Sequence, residues 1–580
     1  MARILFRSNW TLYKPQMRIA LDIETNMAHD VIHLCVTQDI DTGEVRVWKA
    51  PTGLWDYLKD ATLIVAHNGI SFDFPILNKL WKTKIGLKKA YDTLVVSRLL
   101  EPTREGGHSL DAWGQTLGVK KLDYKATWQW MMNRREEYDG ECFDRPLEGL
   151  LEFYCHHDVL VLCNLFKHLD LCVDSQGFSQ DSLVLEHNVA AIISKQEKNG
   201  FKLDTIHATC LLSELKGKMS AINDRMQELW PPYEVERISE KTGKVLKPEL
   251  VVFNPASRQQ VADKLIGLGW KPTKKTEKGS VIVDETTLQG LKWPEAQMIA
   301  EYFMLQKRIA QIESWLEVVG KDGRVHGRVI TNGAVTGRAT HSKPNMAQVP
   351  NTSSQYGKEC RQCWTVEEGN VLVGVDLSGI ELRCFAHYLN DEEYIREVVY
   401  GDVHTRNQQA FGVDSRNDAK TILYATLYGA SASKIGSIIG GSAAKGQAII
   451  DGFRRSVPAF GVLQKKVAAY AQKGWIPGLD GRRLEIRSEH SALNTLLQSA
   501  GAIIAKQWIV CIDKKLRQEQ ISYKLVAWVH DEVQIEASPD DAEKIGQLVV
   551  ECAKEAGEIL KFRCPVSAEW KSGKNWYDCH

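Results

Sequence analysis

The sequence predicts a multidomain protein of mixed α/β and α+β class, and three observations carry that reading. The chain has 580 residues, enough for about four compact units at roughly 150 residues each. Residues 1 to about 186 alternate short apolar runs with amphipathic stretches, the pattern of α/β layers. Beyond about residue 323, strand-like segments return at 324–330, 371–376 and 523–536, with a long helical insert at about 391–475 between the last two.

The first unit is expected to end near Glu186. From His187 to about Glu317 the pattern turns helical, with Val189, Ile192, Ile193 and Gln196, then Met304, Arg308, Gln311 and Trp315, at helical spacing. Between them lies an irregular basic section holding Pro231-Pro232, Lys241, Lys244 and Lys247, then Lys271, Lys274, Lys275 and Lys278, a composition suited to exposed loops.

Composition narrows the class. Hydrophobic residues at 44% and charged residues at 25% are ordinary for a globular chain. No run approaches the ~18 apolar residues of a membrane helix, and the start Met1 to Arg7 lacks the apolar core and cleavage site of a leader. A cytoplasmic protein without membrane partners is expected. The net charge of zero excludes a uniformly basic coat but leaves room for a basic groove. Thirteen scattered cysteines fit reduced thiols. The lone CxxC, Cys360 to Cys363, reads as two half-buried small hydrophobes and not as a zinc or redox pair.

Two constellations carry chemistry. In Arg18-Ile-Ala-Leu-Asp22-Ile-Glu24-Thr25, the acids stand two apart on a strand and emerge on one face, where like charges need a cation. Asp73 lies just past a buried strand and a glycine-containing turn that includes Asn68 and Phe72. Tyr154 and Asp158 are four apart on a helix and share a face. Four carboxylates can hold two Mg²⁺ or Mn²⁺ ions about 4 Å apart, the arrangement that cleaves phosphodiesters. Tyr154 would orient the attacking water.

The second constellation joins two strand ends 155 residues apart, Asp376 after Val371-Leu-Val-Gly-Val and the acidic hairpin turn Asp531-Glu532. Between them, Ser415 and Asp418 form a capping-box pattern at the start of a helix on which Arg416, Lys420, Tyr424 and Tyr428 recur every four residues along one face. Two cations followed by two aromatics suit a triphosphate and a base. Further on, Leu493, Leu496 and Leu497 face a core while Asn494 and Gln498 share the opposite side of a helix.

The ordered set Asp22, Glu24, Asp73, Tyr154 and Asp158, with Asn68 and Phe72 in pattern, resembles a 3′→5′ proofreading exonuclease domain of the DEDD type. Six blocks then resemble family A (DNA polymerase I-like) DNA polymerases of the short phage-replicase type. They are Thr336-Gly-Arg338-Ala-Thr, Asp376 to Arg383 with Glu381, Asp402-Val-His404-Thr, Arg416 to Gly429, Ala492 to Gln498, and Val529-His530-Asp531-Glu532. The likeness spans nearly the whole chain.

That resemblance implies a ribonuclease H-like exonuclease domain over residues 1–186, followed by a right-hand module. Its thumb would cover 187–335, its palm 336–385 and 486–580, and its fingers 386–485. It implies two Mg²⁺ ions on Asp376 and Asp531 and two in the exonuclease site, with Mn²⁺ as a substitute. Glu532 would support the site. Arg416, Lys420 and His404 would neutralise phosphates, Lys420 also serving as acid for the departing pyrophosphate. Tyr424 would stack on the incoming base with weak discrimination against dideoxynucleotides, and Glu381 would exclude a 2′-hydroxyl. Asn494 and Gln498 would probe minor-groove acceptors, while Arg338 and His530 touch the primer end.

The partners implied are primer-template DNA and deoxynucleoside triphosphates, with a replicative helicase, primase and single-stranded DNA-binding protein. A monomer is expected, in the host cytoplasm if the chain is viral. Some family members recruit the host's thioredoxin through a large thumb insertion. Only about 150 residues separate His187 from Arg338, so no such clamp is expected, and the basic loops at 238–248 and 271–278 are candidates to grip DNA instead. No flap-nuclease domain is expected ahead of the exonuclease. Glu381 and the complete exonuclease set argue against a single-subunit RNA polymerase. Two complete sets of metal ligands argue against a nuclease with an inert DNA-binding module and against a non-enzymatic scaffold.

Overall fold

The computed structural model describes residues 17–134, 140–238, 241, 243–276 and 278–580. The first sixteen residues, on which the leader reading rests, lie outside the described residues, as do 239, 240 and 242 of one basic loop and 277 of the other. The chain divides into two compact units. The first gathers the described residues up to Asn199 with Val329–His341 and Val373–Lys571; the second holds Gly200–Arg328, Ser342–Leu372 and Ser572–His580.

The first unit opens on five strands: β1 (Arg18–Thr25), β2 (Ile32–Asp39), β3 (Val45–Trp48), β4 (Leu63–Ala66) and β5 (Ala90–Asp92). Their order is β3-β2-β1-β4-β5. β2 runs antiparallel to β1, while β4 is parallel to β1 and β5 to β4, a ribonuclease H-like sheet. Both faces are covered. Ile19, Leu21, Ile23 and Ile64 pack on one side, and Ala20, Leu34, Val36 and Val65 meet the apolar face of a long helix on the other. Burial on both faces explains why β1 reads as a nearly continuous apolar run broken only by its acids.

Three helices matter here: α1 (Asp73–Leu80), α2 (Glu148–Gln176) and α3 (Gln180–Asn199). α3 runs through the boundary expected at Glu186, and the compact unit continues to Asn199. No Gly or Pro interrupts α3, and the first stop signal is Gly200, at φ +61°.

The C-terminal part of the unit contains all but the first two residues of β6 (Val371–Leu377), then α4 (Ile380–Leu389), α5 (Arg416–Leu427), α6 (Ala492–Gln518), β7 (Tyr523–Val529), β8 (Glu532–Ala537), α7 (Ala542–Ile559) and all but the last two residues of β9 (Ala568–Gly573). The sheet order is β7-β8-β6-β9, so the last strand of the chain pairs beside a strand made almost 200 residues earlier. α6 corrects the expectation that no segment is apolar enough to cross a membrane. A helix spanning Glu489–Gln518 is long and apolar enough by length and composition, but 83% of its most apolar window is buried inside the protein. It packs against α7, α3 and α4. Trp508 is fully buried and donates to the Val549 carbonyl at 2.8 Å, so its truncation to Ala costs about 3–5 kcal/mol.

The second unit is mainly helical. Thr205–Leu229, capped by Asp204, packs on Pro294–Val318, with Met226, Leu265, Ile299 and Phe303 among its core. The region read as irregular loops instead forms an antiparallel hairpin, Tyr233–Ile238 with Val245–Val251. Every residue of these strands is exposed except the half-buried Val251. With no buried face, the segment lacks the alternation that would have marked it as strand. Cys360 and Cys363 are fully buried, and the Cys363 thiol donates to the Glu359 carbonyl. All thirteen cysteines are free thiols.

Candidate active sites

β1 lies between β2 and β4, so its acids sit on a strand held by two ladders. Asp73 occupies the first turn of α1, and its Oδ1 accepts a bond from the Ile23 amide, between Asp22 and Glu24, at 3.3 Å. α2 delivers Tyr154, Cys155 and Asp158 from the other side. Ligand atoms of Asp22, Glu24 and Cys155 lie within 4.8 Å of one another. The turn that precedes Asp73 is fixed by Asp92, whose carboxylate accepts from the Asn68 and Ile70 amides at 2.9 and 3.1 Å. Asn68 is left-handed at φ +66°, and the Phe72 ring meets His29 edge-on at 4.9 Å.

Burial and mutual repulsion dominate the electrostatics. The Asp22 carboxyl is pushed up to about 7 by burial and then by Asp158. Burial followed by Asp22 raises Glu24 and Asp73 well above the carboxylate range. Asp158 is raised by burial too, although Lys121 opposes the shift. Packed carboxylates that favour protons this strongly are the donor set a hard divalent cation fits. Cys155 belongs to the cluster in another role. Burial holds its thiol protonated, and it donates to Asp22 Oδ2 at 3.5 Å.

Lys121 was not visible to sequence reasoning. It stands between two helices, Leu110–Leu117 and Tyr124–Met131. Its Nζ lies 2.6 Å from Asp158 Oδ2 and donates to the Tyr154 hydroxyl at 3.0 Å. Burial works against its charge, yet Asp158 and Tyr154 together raise its pKa. The Tyr154 ring packs on Tyr124 at 5.1 Å. Lys121 therefore fixes both residues that α2 contributes four positions apart.

The second acidic site forms where β6 meets the β7–β8 hairpin. Asp376 is exposed at the end of β6. The amide of the next residue, Leu377, donates to the Asp531 carbonyl at 2.9 Å, which draws the two strand ends together. His530 makes the tight turn at φ +58°. Glu532 is buried and accepts from Gln534 Nε2 at 2.6 Å. Burial, with Glu532 and Glu381 nearby, raises the Asp531 carboxyl against the pull of Arg338. Arg338, Ile380, Gly501, Trp528, His530 and Asp531 line one crevice.

Around these acids the helical residues are ordered as their spacing predicts. α5 is capped by Ser415, whose hydroxyl accepts from the Asp418 amide at 3.2 Å. Its face of Ala419, Ile422, Leu423 and Leu427 is buried, leaving Arg416 and Lys420 exposed and Tyr424 half-buried. Tyr424 and Tyr428 lie 6.3 Å apart. The Tyr428 hydroxyl donates to Glu381 Oε2 at 2.5 Å, and Arg338 Nη2 reaches Glu381 Oε1 at 3.2 Å. Burial, then Arg416 and Lys420, lower His404. On α6, Asn494 and Gln498 are half-buried in an otherwise buried turn sequence. His530 lies edge-on to His341 at 6.4 Å.

Asp402 has a second role that its motif alone did not disclose. Its carboxylate caps the helix Val403–Phe411 and also accepts two bonds from Arg416, at 3.0 and 3.1 Å. The cap was legible as an acid ahead of a helix. The arginine pairing depends on how two helices pack.

The comparisons agree along the chain. A sequence model of DNA polymerase family A matches residues 227–578. The chain is 34% identical to the DNA-directed DNA polymerase of Escherichia phage T7, covering 97% of this chain and 100% of that one. It is also 34% identical to the enzyme of Enterobacteria phage T3, over 96% of this chain and 99% of the relative. DNA polymerase I of Aquifex aeolicus (strain VF5) is 26% identical over 88% of each. Among solved structures, the POL domain of Pol1 from M. smegmatis, in complex with DNA primer-template and dNTP, superposes with a TM-score of 0.76. It shows 20% identity and covers 97% of this chain and 96% of that one. With strands, helices and acidic sites in this arrangement and full-length phage relatives above 30% identity, the chain belongs to DNA polymerase family A.

Proposed function

We propose that the chain is a DNA-directed DNA polymerase that extends a primer at Asp376 and Asp531 and edits by 3′→5′ excision at Asp22, Glu24, Asp73 and Asp158. It acts as a monomeric phage replicase in the cytoplasm of its host. The observation that carries the reading is the bond from Leu377 to Asp531, which closes strand ends 155 residues apart into one acidic site beside Glu381 and Tyr428. The full-length likeness to phage enzymes named DNA-directed DNA polymerase supports it, as does a structural neighbour solved with primer-template and dNTP. Residues 1–186 are assigned to excision, 187–335 to the thumb, 336–385 with 486–580 to the palm, and 386–485 to the fingers.

Asp376 with Asp531, and the four nuclease carboxylates, would each hold two Mg²⁺ ions, with Mn²⁺ as substitute, supplying Lewis acidity for the attacking and leaving oxygens. The side chains do the rest. Arg416, Lys420 and His404 take the triphosphate charge, which requires Arg416 to leave Asp402, and Lys420 would protonate the pyrophosphate. Tyr424 stacks on the base. Glu381, gripped by Tyr428 and Arg338, would exclude a 2′-hydroxyl. Asn494 and Gln498 test minor-groove acceptors, and Arg338 and His530 hold the primer end. In the nuclease site Tyr154 orients water, its hydroxyl fixed by Lys121.

The basic segments around 238–248 and 271–278 are proposed to grip duplex DNA in place of a thioredoxin clamp. Product length on a primed single-stranded template should not change when thioredoxin is added, and marked lengthening would overturn that point. The assignment as a whole is tested with an end-labelled primer-template and Mg²⁺. Asp531→Ala should only shorten primers and Asp22→Ala should only extend them. Wild-type extension by Asp531→Ala would sink the reading.

A further inference from the structure

A buried ionic cluster lies away from both acidic sites, within the first unit. Glu186, from α3, is fully buried, as is Lys506 in the middle of α6, and Arg482 is only 2% exposed. Glu186 Oε1 accepts from Lys506 Nζ and from Arg482 Nη2, each at 2.6 Å. Arg482 also donates from Nε to Asp480 Oδ1 at 3.0 Å and from Nη2 to Oδ2 at 2.7 Å. Asn332 Oδ1 completes the set, accepting from Lys506 at 2.6 Å and Arg482 at 3.3 Å. Ser179, just ahead of α3, donates its hydroxyl to the Asp480 carbonyl.

Two acids and two bases cancel in charge, but four desolvated ions are poor stabilisers. A buried pair commonly breaks even with apolar residues of the same size, while losing one partner strands a charge. Burial drags the Lys506 ammonium down to about 8 even with Glu186 beside it. What the cluster does supply is direction. It fixes α3, at the end of the segment assigned to excision, to two elements assigned to the primer. Lys506 lies about two turns beyond Gln498 on the same helix. Asn332 leads into Thr336-Gly337-Arg338. Gly337 has φ +74°, and a Cβ there would fall 2.9 Å from Arg482 Nη1, so this strip of backbone rests directly on the guanidinium.

We propose that Glu186, Asp480, Arg482, Lys506 and Asn332 form a positioning joint that sets Arg338 and α6 relative to the excision domain, and so the share of primer ends extended or excised. The inference rests on the two activities proposed above. It assigns no chemistry to the cluster; these are positioning residues.

The test uses the full chain as wild type, Glu186→Gln, Lys506→Met and the double variant Glu186→Gln/Lys506→Met. For each, the dNMP released per dNTP incorporated is measured on a matched primer-template, alongside excision of single-stranded DNA and thermal unfolding. Extension alone is read in the Asp22→Ala background as KM for primer-template and as kcat. The single variants can unfold by stranding a charge. The double variant removes both partners and should recover the wild-type melting temperature. The joint predicts that it still shifts the excision-to-extension ratio by roughly threefold or more, through KM for primer-template and with kcat and single-strand excision near wild type. Recovery of the ratio together with the melting temperature would reduce the cluster to packing and overturn the joint. A wild type lacking excision or extension would overturn the functional assignment beneath it.

Discussion

The Lys121 ammonium stands 2.6 Å from the Asp158 carboxylate and donates to the Tyr154 hydroxyl. One cation thus sets the geometry of both residues that α2 brings to the first acidic site. Its removal leaves Tyr154 free to rotate and Asp158 buried without its counter-charge.

Lys121→Met should therefore slow excision of single-stranded DNA by roughly 10–100-fold, the usual cost of losing a group that orients ligands. Extension by the same variant should stay within about twofold, a change too small to count as a lost catalytic contact. Unaltered excision would remove Lys121 from the mechanism.

The clustered acids of β1, α1 and α2 should also make the metal-free protein sensitive to pH. Asp22 titrates at about 7 in the folded chain, through burial first and Asp158 second, against about 4 when unfolded. The folded state therefore holds its proton longer. This contribution to stability is full below about pH 4 and is lost as pH rises to about 7. With a chelator present, the melting temperature of wild type should fall across that range relative to Asp22→Asn, and saturating Mg²⁺ should abolish the difference. Parallel curves for the two proteins would show the prediction wrong.

Sugar selection should depend on Tyr428 as well as Glu381. The 2.5 Å bond between them involves a charged acceptor, so losing it should cost about 1.5–3 kcal/mol of positioning. Tyr428→Phe is expected to lower the preference for deoxynucleotides over ribonucleotides, measured as the ratio of kcat/KM values, by about tenfold or more. Glu381→Ala should lower it further. An unchanged ratio in Tyr428→Phe would mean that Glu381 holds its place without the phenol.

Asp402 holds Arg416, the arginine proposed above to take triphosphate charge. The pair is solvent-exposed and screened by water, so it holds the guanidinium only weakly. Asp402→Asn keeps a side chain able to cap its helix while releasing Arg416. KM for dNTP should fall by up to about fivefold with kcat unchanged. A rise in KM would assign Asp402 a direct part in binding.

What the sequence disclosed, and what it did not, follows the range of the interactions. Asp22 with Glu24, Tyr154 with Asp158, Arg416 through Tyr428, and Asn494 with Gln498 were legible because each set is spaced by the period of its own strand or helix. Lys121 and Cys155 were not, since their roles depend on residues brought close only by folding. The hairpin Tyr233–Ile238 with Val245–Val251 was read as loop because it buries no face. The apolar length of α6 was underestimated because its amides and its buried Lys506 interrupt the run.

The order of strands in the two sheets also gives the sites different birth dates on the ribosome. The sheet and helix that carry Asp22, Glu24, Asp73, Tyr154 and Asp158 use residues 18–176. The sheet that carries Asp376 ends on β9, at Ala568–Gly573. At roughly 5–20 residues per second, about 20–80 seconds of translation separate the two. A message broken in between yields a chain that has all five of these side chains and lacks the edge strand of the sheet that carries Asp376.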